Sequence, residues 1–299
     1  MSLEERIRQR VLRAIALNRT PGYHFPGNFI DLSFDRVESG NTRVSYETDA
    51  YDIGSLAVLA DFALGTAVRA DLDPATRLAT VSMTLELAAA PRAGIVSAAA
   101  RGHGFVGEGE GRIGRARVSI EDGGGEFGYG SGAFMVLKPP PGVELHPVPH
   151  RKRGDPEPPL LEARDLAPDE LLILRRAEEA LQQQKKPFMR HFWGFLPQAA
   201  RGGATCVMPN GPHVGNRVGY VQGGILFGLA AATAAAALPE TWRLSLVAAA
   251  FISPGDGPAL RAQAGIVHQG QRSAVIRTEV TRSDGRRVLE VMSTHAATG

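Results

Sequence analysis

The order of elements in this chain occurs twice, and that repetition limits the fold more than any other feature. Each half opens with an amphipathic helix. Ser2 and Glu5 fit a capping box ahead of Leu3, Ile7, Val11 and Ile15 on one face, and Pro168-Asp-Glu begins a second helix carrying Leu171, Leu172 and Leu181 before Pro187 ends it. One tetrapeptide pattern follows each helix, His24-Phe-Pro-Gly27 and His191-Phe-Trp-Gly194. Short strand-like segments come next, Thr42–Tyr46 and Thr205–Met208, each ahead of a glycine turn and a long Ala/Leu-rich stretch, Gly54–Gly65 and Gly223–Ala235. Strand candidates then run in the same order. Leu78–Leu87, Ile95–Arg101, Arg115–Ile120 and Phe134–Leu137 stand against Leu244–Ile252, Leu260–Val267, Ser273–Val280 and Val288–Thr294. Gly123-Gly-Gly125 and Ser283-Asp-Gly285 read as hairpin turns between the last strands.

A repeat at roughly constant spacing means two copies of one supersecondary plan. A helix without a polar face must be wrapped on most sides. The expected fold is therefore α+β, with two domains, each a long central helix wrapped by an antiparallel sheet of about five or six strands. The expected boundaries are 1–137 and 160–299. Between them, 138–159 holds Lys138-Pro-Pro-Pro-Gly142, His150-Arg-Lys-Arg153 and Pro156-Glu-Pro-Pro159, a composition that reads as a semi-rigid, solvated linker unable to bury a core.

Composition bounds the function. The chain has 299 residues, enough for two domains, and 43% of them are hydrophobic, enough for two cores. A net charge of +2 argues against a general nucleic-acid or membrane-surface binder. Cys206 is the single cysteine and forms no internal disulfide, so a reducing cytoplasm is the expected compartment. The N-terminus lacks the apolar core of a secretory signal. Val218–Leu238 is uncharged, but its Ala and Gly partition weakly into lipid, so it reads as a buried helix with its entry turn. No His, Cys, Asp or Glu spacing suggests a metal site.

The order of elements resembles the hot-dog fold, in which a sheet wraps a central helix. The more specific resemblance is to the phenylacetyl-CoA thioesterase branch of that superfamily, whose pattern is Asn, a Gly three residues later, His-Gly-Gly, then a helix with an acid nine positions after the His. The second half reads Asn216-Arg-Val-Gly219-Tyr-Val-Gln222-Gly223-Gly224, and the first half supplies Leu56-Ala-Val-Leu-Ala-Asp61-Phe-Ala-Leu-Gly65. Thr80-Val-Ser82 and Phe251-Ile-Ser-Pro254 resemble the strand that follows. The departures are specific. The His position holds Gln222 in one half and Asp52 in the other, Ile53 replaces the first Gly of the front half, and nine positions from Gln222 stands Ala231.

The resemblance implies a composite site, with the glycine turn of one unit facing the helix acid of the other. It pairs Asp61 with Asn216, Gln222, Gly223 and Gly224, and leaves a second pairing of Ala231 with Asp52, Ile53 and Gly54 that lacks its acid and is expected to be dead. Thioester hydrolysis needs a donor aimed at the carbonyl oxygen and an activated nucleophile. Free N–H groups at a helix start carry partial positive charge, and glycine lets a ligand approach them. Gly223 and Gly224 occupy such a start; a turn needed only for packing explains them too. Asp61 is the single charge between Gly54 and Val68, on a helix built for burial, where desolvation raises a carboxyl pKa. The bland alternative is a structural Asp. Thr80 and Ser82 are expected either to orient substrate or simply to alternate on a strand. The recurrence of His24 and His191 suggests a structural role, and His268 and His295 read as surface or strand residues. Arg112, Arg115 and Arg117 are candidates for coenzyme A phosphates or for an exposed strand face.

The expected activity is acyl-CoA thioester hydrolysis with no cofactor beyond the coenzyme A of the substrate, or with an acyl-carrier-protein thioester as partner, in a homodimer of double chains. A hot-dog hydratase or dehydratase and a non-catalytic acyl-thioester binder are the alternatives. The acyl pocket is expected among Phe62, Leu64, Phe227 and Leu229.

Overall fold

The computed structural model describes residues 2–74, 76–183 and 187–298. Helix α1 (Leu3–Asn18) starts where the Ser2 hydroxyl accepts the Glu5 N–H at 3.1 Å. It buries Val11, Leu12, Ala14 and Ile15, while Leu3, in the first turn, stays exposed. The first repeat continues with α2 (Phe25–Phe29), β1 (Ser33–Glu38), β2 (Asn41–Thr48), α3 (Ile53–Arg69), β3 (Arg77–Leu87), β4 (Gly94–Val106), β5 (Ile113–Asp122) and β6 (Gly125–Leu137). The second repeat runs α4 (Pro168–Leu181), α5 (Phe188–Trp193), β7 (Gln198–Ala200), β8 (Gly203–Pro209), α6 (Gly223–Ala236), β9 (Trp242–Phe251), β10 (Ala259–Gln269), β11 (Ser273–Arg282) and β12 (Arg287–Ala297).

All strands join one antiparallel, 12-stranded sheet in the order β1-β2-β4-β5-β6-β3-β9-β12-β11-β10-β8-β7. The order is the same read from either end once each strand is exchanged for its counterpart in the other repeat. The seam is the β3–β9 pairing, with Ser82 opposite Ala250 and Glu86 opposite Leu246. Each repeat contributes six strands, and β1 and β7, which the sequence reading did not resolve, are the sheet's edges.

The central helices show why the sheet must curl around them. Every residue of α3 from Gly54 to Ala60 is buried, as is every residue of α6 from Gly224 to Ala231. Each helix is covered by its own half of the sheet and by the other helix. A Cβ at Gly224 would lie 2.6 Å from the Val58 Cα, and one at Gly228 would lie 2.8 Å from the Gly54 Cα. The two contacts are images of each other under the repeat, and glycine is what permits backbones to approach this closely.

The segment after β6 departs from the solvated tether expected of it. The Arg151 carbonyl accepts the Phe34 N–H at 2.8 Å, the Arg153 N–H donates to the Ser33 hydroxyl at 2.8 Å, and Arg151 pairs with Asp31 at 2.6 Å. Leu145 is buried, and His150 lies against the Phe34 ring. Proline removes donors but leaves carbonyls and fixes an extended backbone, so such a strap loses little entropy on docking to an apolar groove. A further bond between the repeats is the fork of Arg19, which holds Glu170 at 2.8 and 2.7 Å.

Candidate active site

Gln222 is the N-cap of α6. Its side-chain oxygen accepts the Ile225 N–H at 2.9 Å. With the carbonyl end committed to the cap, the amide nitrogen must point outward, and it donates to Asp61 Oδ2 at 2.6 Å across the repeat boundary. Asp61 Oδ1 accepts from the Thr80 hydroxyl at 3.1 Å, and the Gly224 N–H also bonds this carboxyl. A Cβ at Gly223 would sit 3.1 and 3.2 Å from the two carboxyl oxygens. The acid of the first repeat is therefore docked on the helix start of the second.

Burial dominates the electrostatics of Asp61. It raises the carboxyl to about 6 from an ordinary 3.8, against the opposing hydrogen bonds of Thr80 and Gly224. No cation contributes to that shift. The group is thus ionised at neutral pH yet basic enough to take a proton.

Asp61 opens on a cavity of about 420 Å³, and Thr80, Asn216, Gln222 and Gly223 share its lining. Gly224 is outside that lining, packed on the backbone of Ala57 and Val58. Among the described residues the Gly223 N–H has no acceptor. Asn216 shapes the loop: its Oδ1 accepts the N–H groups of Val218 and Tyr220 at 3.0 and 3.1 Å, and the residue is part of the cavity lining.

Ser82 is not in the lining. Regular alternation puts Thr80 and Ser82 on one strand face, but the β3–β6 register slips between them, and the bulge reverses the parity. Of the expected acyl-pocket residues only Phe62 lines the cavity; Leu64, Phe227 and Leu229 are fully buried in the core, and Leu226 faces the cavity instead. His24 also lines it, stacked on Phe62 at 4.4 Å, so its recurrence with His191 hid a place at the site. His295 is a strand residue but fully buried, bonded to Ser293 at 3.0 Å. Arg112 stacks over Phe105 while Arg115 and Arg117 are exposed on β5, and none of the three reaches the cavity. Instead Arg69, Arg77, Arg217 and Tyr220 line it, together with Leu145 and Val148 of the proline-rich strap. No motif marks these residues. They meet because four separate stretches of chain converge there.

The image of this site is filled with side chains. Asp52 caps α3, accepting the Ser55 N–H at 2.7 Å, the Ser55 hydroxyl at 2.8 Å and the Trp193 indole N–H at 3.2 Å. Trp193 and Phe195, both fully buried, press against Gly54, and Ala231 stands buried where an acid would be needed.

Taken with the repeated helix-in-sheet unit, this arrangement defines a tandem hot-dog protein. No protein-family model matches the chain, and no curated protein matches it. Among solved structures it is similar to a TesB protein of Mycobacterium avium subspecies paratuberculosis, at 14% identity and a TM-score of 0.53 over 90% of this chain and 96% of that one. It is also similar to an acyl-CoA thioesterase II, TesB2, of Mycobacterium marinum, at 12% identity and a TM-score of 0.51 over 90% of this chain and 94% of that one. A protein with the hot-dog fold from Alicyclobacillus acidocaldarius matches at 12% identity and a TM-score of 0.53 over 93% of this chain and 99% of that one. Each comparison spans both repeats, and at these identities it establishes the fold. Among the described residues no group of three or more His, Cys, Asp or Glu is placed to hold a metal, and no helix is long and apolar enough to cross a membrane.

Proposed function

We propose that the protein hydrolyses acyl thioesters, with coenzyme A as the expected carrier, at the single composite site formed by Asp61 and the start of α6. The observation that carries this reading is the Gln222–Asp61 bond of 2.6 Å on the wall of a substrate-sized cavity. Asp61 takes a proton from water as the oxygen attacks the thioester carbon. The carbonyl oxygen gains charge beside the Gly223 N–H and the Asn216 amide, at the positive end of α6. The intermediate collapses with breakage of the C–S bond, and the thiolate leaves with the proton from Asp61 as the free acid forms. Direct attack by the Asp61 carboxylate, followed by hydrolysis of the anhydride, uses the same groups.

A donor of this kind is worth about 3–4 kcal/mol of barrier and a general base about 10²–10⁴-fold in other enzymes. Thiol release from acyl-CoA should accordingly fall by at least about 10²-fold in Asp61→Asn. Full activity in that variant sinks the proposal. The hot-dog likeness to thioesterases supports the reaction class, and the TesB2 protein is named for acyl-CoA hydrolysis. A hydratase needs an acid–base pair around a double bond, and Gln222 stands where that chemistry would want a titrating group. Ala231 at the position that matches Asp61, with Trp193 and Phe195 filling the image site, supports one working site per chain. We extend the proposal to a cytoplasmic homodimer, to be checked by sedimentation.

A further inference from the structure

Beyond Asp61, α3 runs two further turns and ends at Arg69, whose side chain lines the same cavity. Eight residues of helix separate the two by about 12 Å along the axis. Arg69 is held by a bond from Nη1 to the Thr76 carbonyl at 2.7 Å. Arg217, from the loop before α6, is held by a bond from Nη1 to the His146 carbonyl of the strap, also at 2.7 Å. Arg77 lines the same cavity, its guanidinium 5.5 Å above the Tyr220 ring.

Among the described residues no carboxylate lies within ion-pair reach of Arg69, Arg77 or Arg217. The one acid in the lining is Asp61, which feels none of them. Arg69 and Arg217 are close enough to repel: burial, then the Arg217 charge, draws Arg69 down to about 9, and burial lowers Arg217. Their charges add to the burial that brings His24 down to about 3, so the imidazole near them is neutral. Two half-buried like charges tied to neutral carbonyls are costly to maintain without an anion. Each guanidinium has donors left beyond its one backbone bond, in a planar fork that fits a carboxylate.

We infer that Arg69 and Arg217, with Arg77 in the same cavity, form a subsite for a carboxylate at the far end of the acyl group, so that the preferred substrates are ω-carboxyacyl thioesters. Between Asp61 and the arginines the walls are apolar, from Phe62, Leu78, Phe134 and Leu226, as an alkyl chain requires. The separation of about 12 Å suits a medium-length chain lying along α3. A carrier's phosphates are a less suitable occupant. They lie a full pantetheine arm from the thioester, and being multiply charged they favour open, hydrated surface over a partly enclosed wall. The identity of the reacting bond rests on the proposed hydrolysis; the anion subsite does not.

Binding and turnover separate the two. The test uses calorimetric titration of the full chain with non-hydrolysable thioether analogues of coenzyme A carrying an ω-carboxyalkyl or a plain alkyl group of equal length. The wild type should bind the carboxylated analogue at least tenfold more tightly. Arg69→Gln and Arg217→Gln should each reduce that preference several-fold, with circular dichroism checking the fold, and Asp61→Asn should leave it intact. The preference should persist on pantetheine analogues that lack the nucleotide. Equal binding of the two analogues by the wild type overturns the inference. So does a loss in the arginine variants that is the same for both analogues and vanishes on pantetheine, since the arginines then hold carrier phosphates. A retained preference with no thiol release from any thioester would overturn the hydrolytic reading and leave the subsite standing.

Discussion

At the scale of single residues the chemistry turns on how Asp61 is held. The groups that face it are the Thr80 hydroxyl, the Gln222 amide and the Gly224 N–H, none of which titrates in the working range. The carboxylate is the active form, so kcat/KM should fall as pH drops through about 6, in a single acid limb. Gln222→Glu keeps an acceptor for the cap but sets a second carboxyl at the 2.6 Å contact, and like charges at that range raise the shared pKa. A pH–rate profile should show the limb displaced upward by about a unit or more, and an unmoved limb would rule Asp61 out as its source. The same shift bears on stability. Asp61 has a folded pKa above its ordinary 3.8, so the folded protein binds the extra proton between about 4 and 6 and loses stability as pH rises through that window. Asp61→Asn should therefore be more stable than the wild type above pH 6, by an amount on the order of 1–3 kcal/mol, in denaturant titrations. The sequence exposed Asp61 because one charge in a run of buried apolar residues is conspicuous. It concealed Arg69, Arg77 and Arg217, because arginines at element ends and in loops are ordinary until a cavity is seen between them.

At the scale of elements the decisive contact is α3 against α6. Gly224→Ala places a methyl group 2.5–2.6 Å from the backbone of Ala57 and Val58, where no side-chain rotation relieves it. The helices must move apart, at a cost of about 3 kcal/mol or more, readable in chemical denaturation. Gly265→Ala on β10 meets nothing within 4 Å and should change stability by less than about 0.5 kcal/mol. On the filled image site, Trp193→Phe removes the bond to Asp52 and should cost about 1 kcal/mol while leaving turnover unchanged. A turnover defect in that variant would mean that both ends of the helix pair serve catalysis. The types and order of the long elements were legible from periodicity, from the helix starts at Ser2 and Pro168 and from the hairpin glycines, whereas the short helices α2 and α5 showed only as a shared His-Phe-x-Gly pattern. The edge strands were not: β7 is three exposed residues, and β1 has a weak alternation. The bulge between Thr80 and Ser82 was equally hidden, since a register slip depends on the partner strand.

At the scale of the whole molecule the two repeats are joined by sheet, helix and side-chain contacts. β3 pairs with β9 at the centre of the sheet, α3 packs on α6, and Arg19 grips Glu170. Calorimetry should show a single unfolding transition; two separable transitions would mean that the repeats fold independently. Equilibrium titration with a thioether analogue should saturate at one ligand per chain, because the image site is closed by Trp193 and Phe195. The sequence alone determined the doubled plan, the buried central helices and the asymmetry between Asp61 and Ala231, since these follow from local pattern and from a repeat compared with itself. Only the tertiary structure decided which N–H groups remain free, which face of β3 meets the acid, that the proline-rich strap walls the cavity, and that three arginines share it with Asp61. Those features depend on residues far apart in the chain arriving at one place, and the packing that brings them there leaves no periodic trace in the amino-acid order.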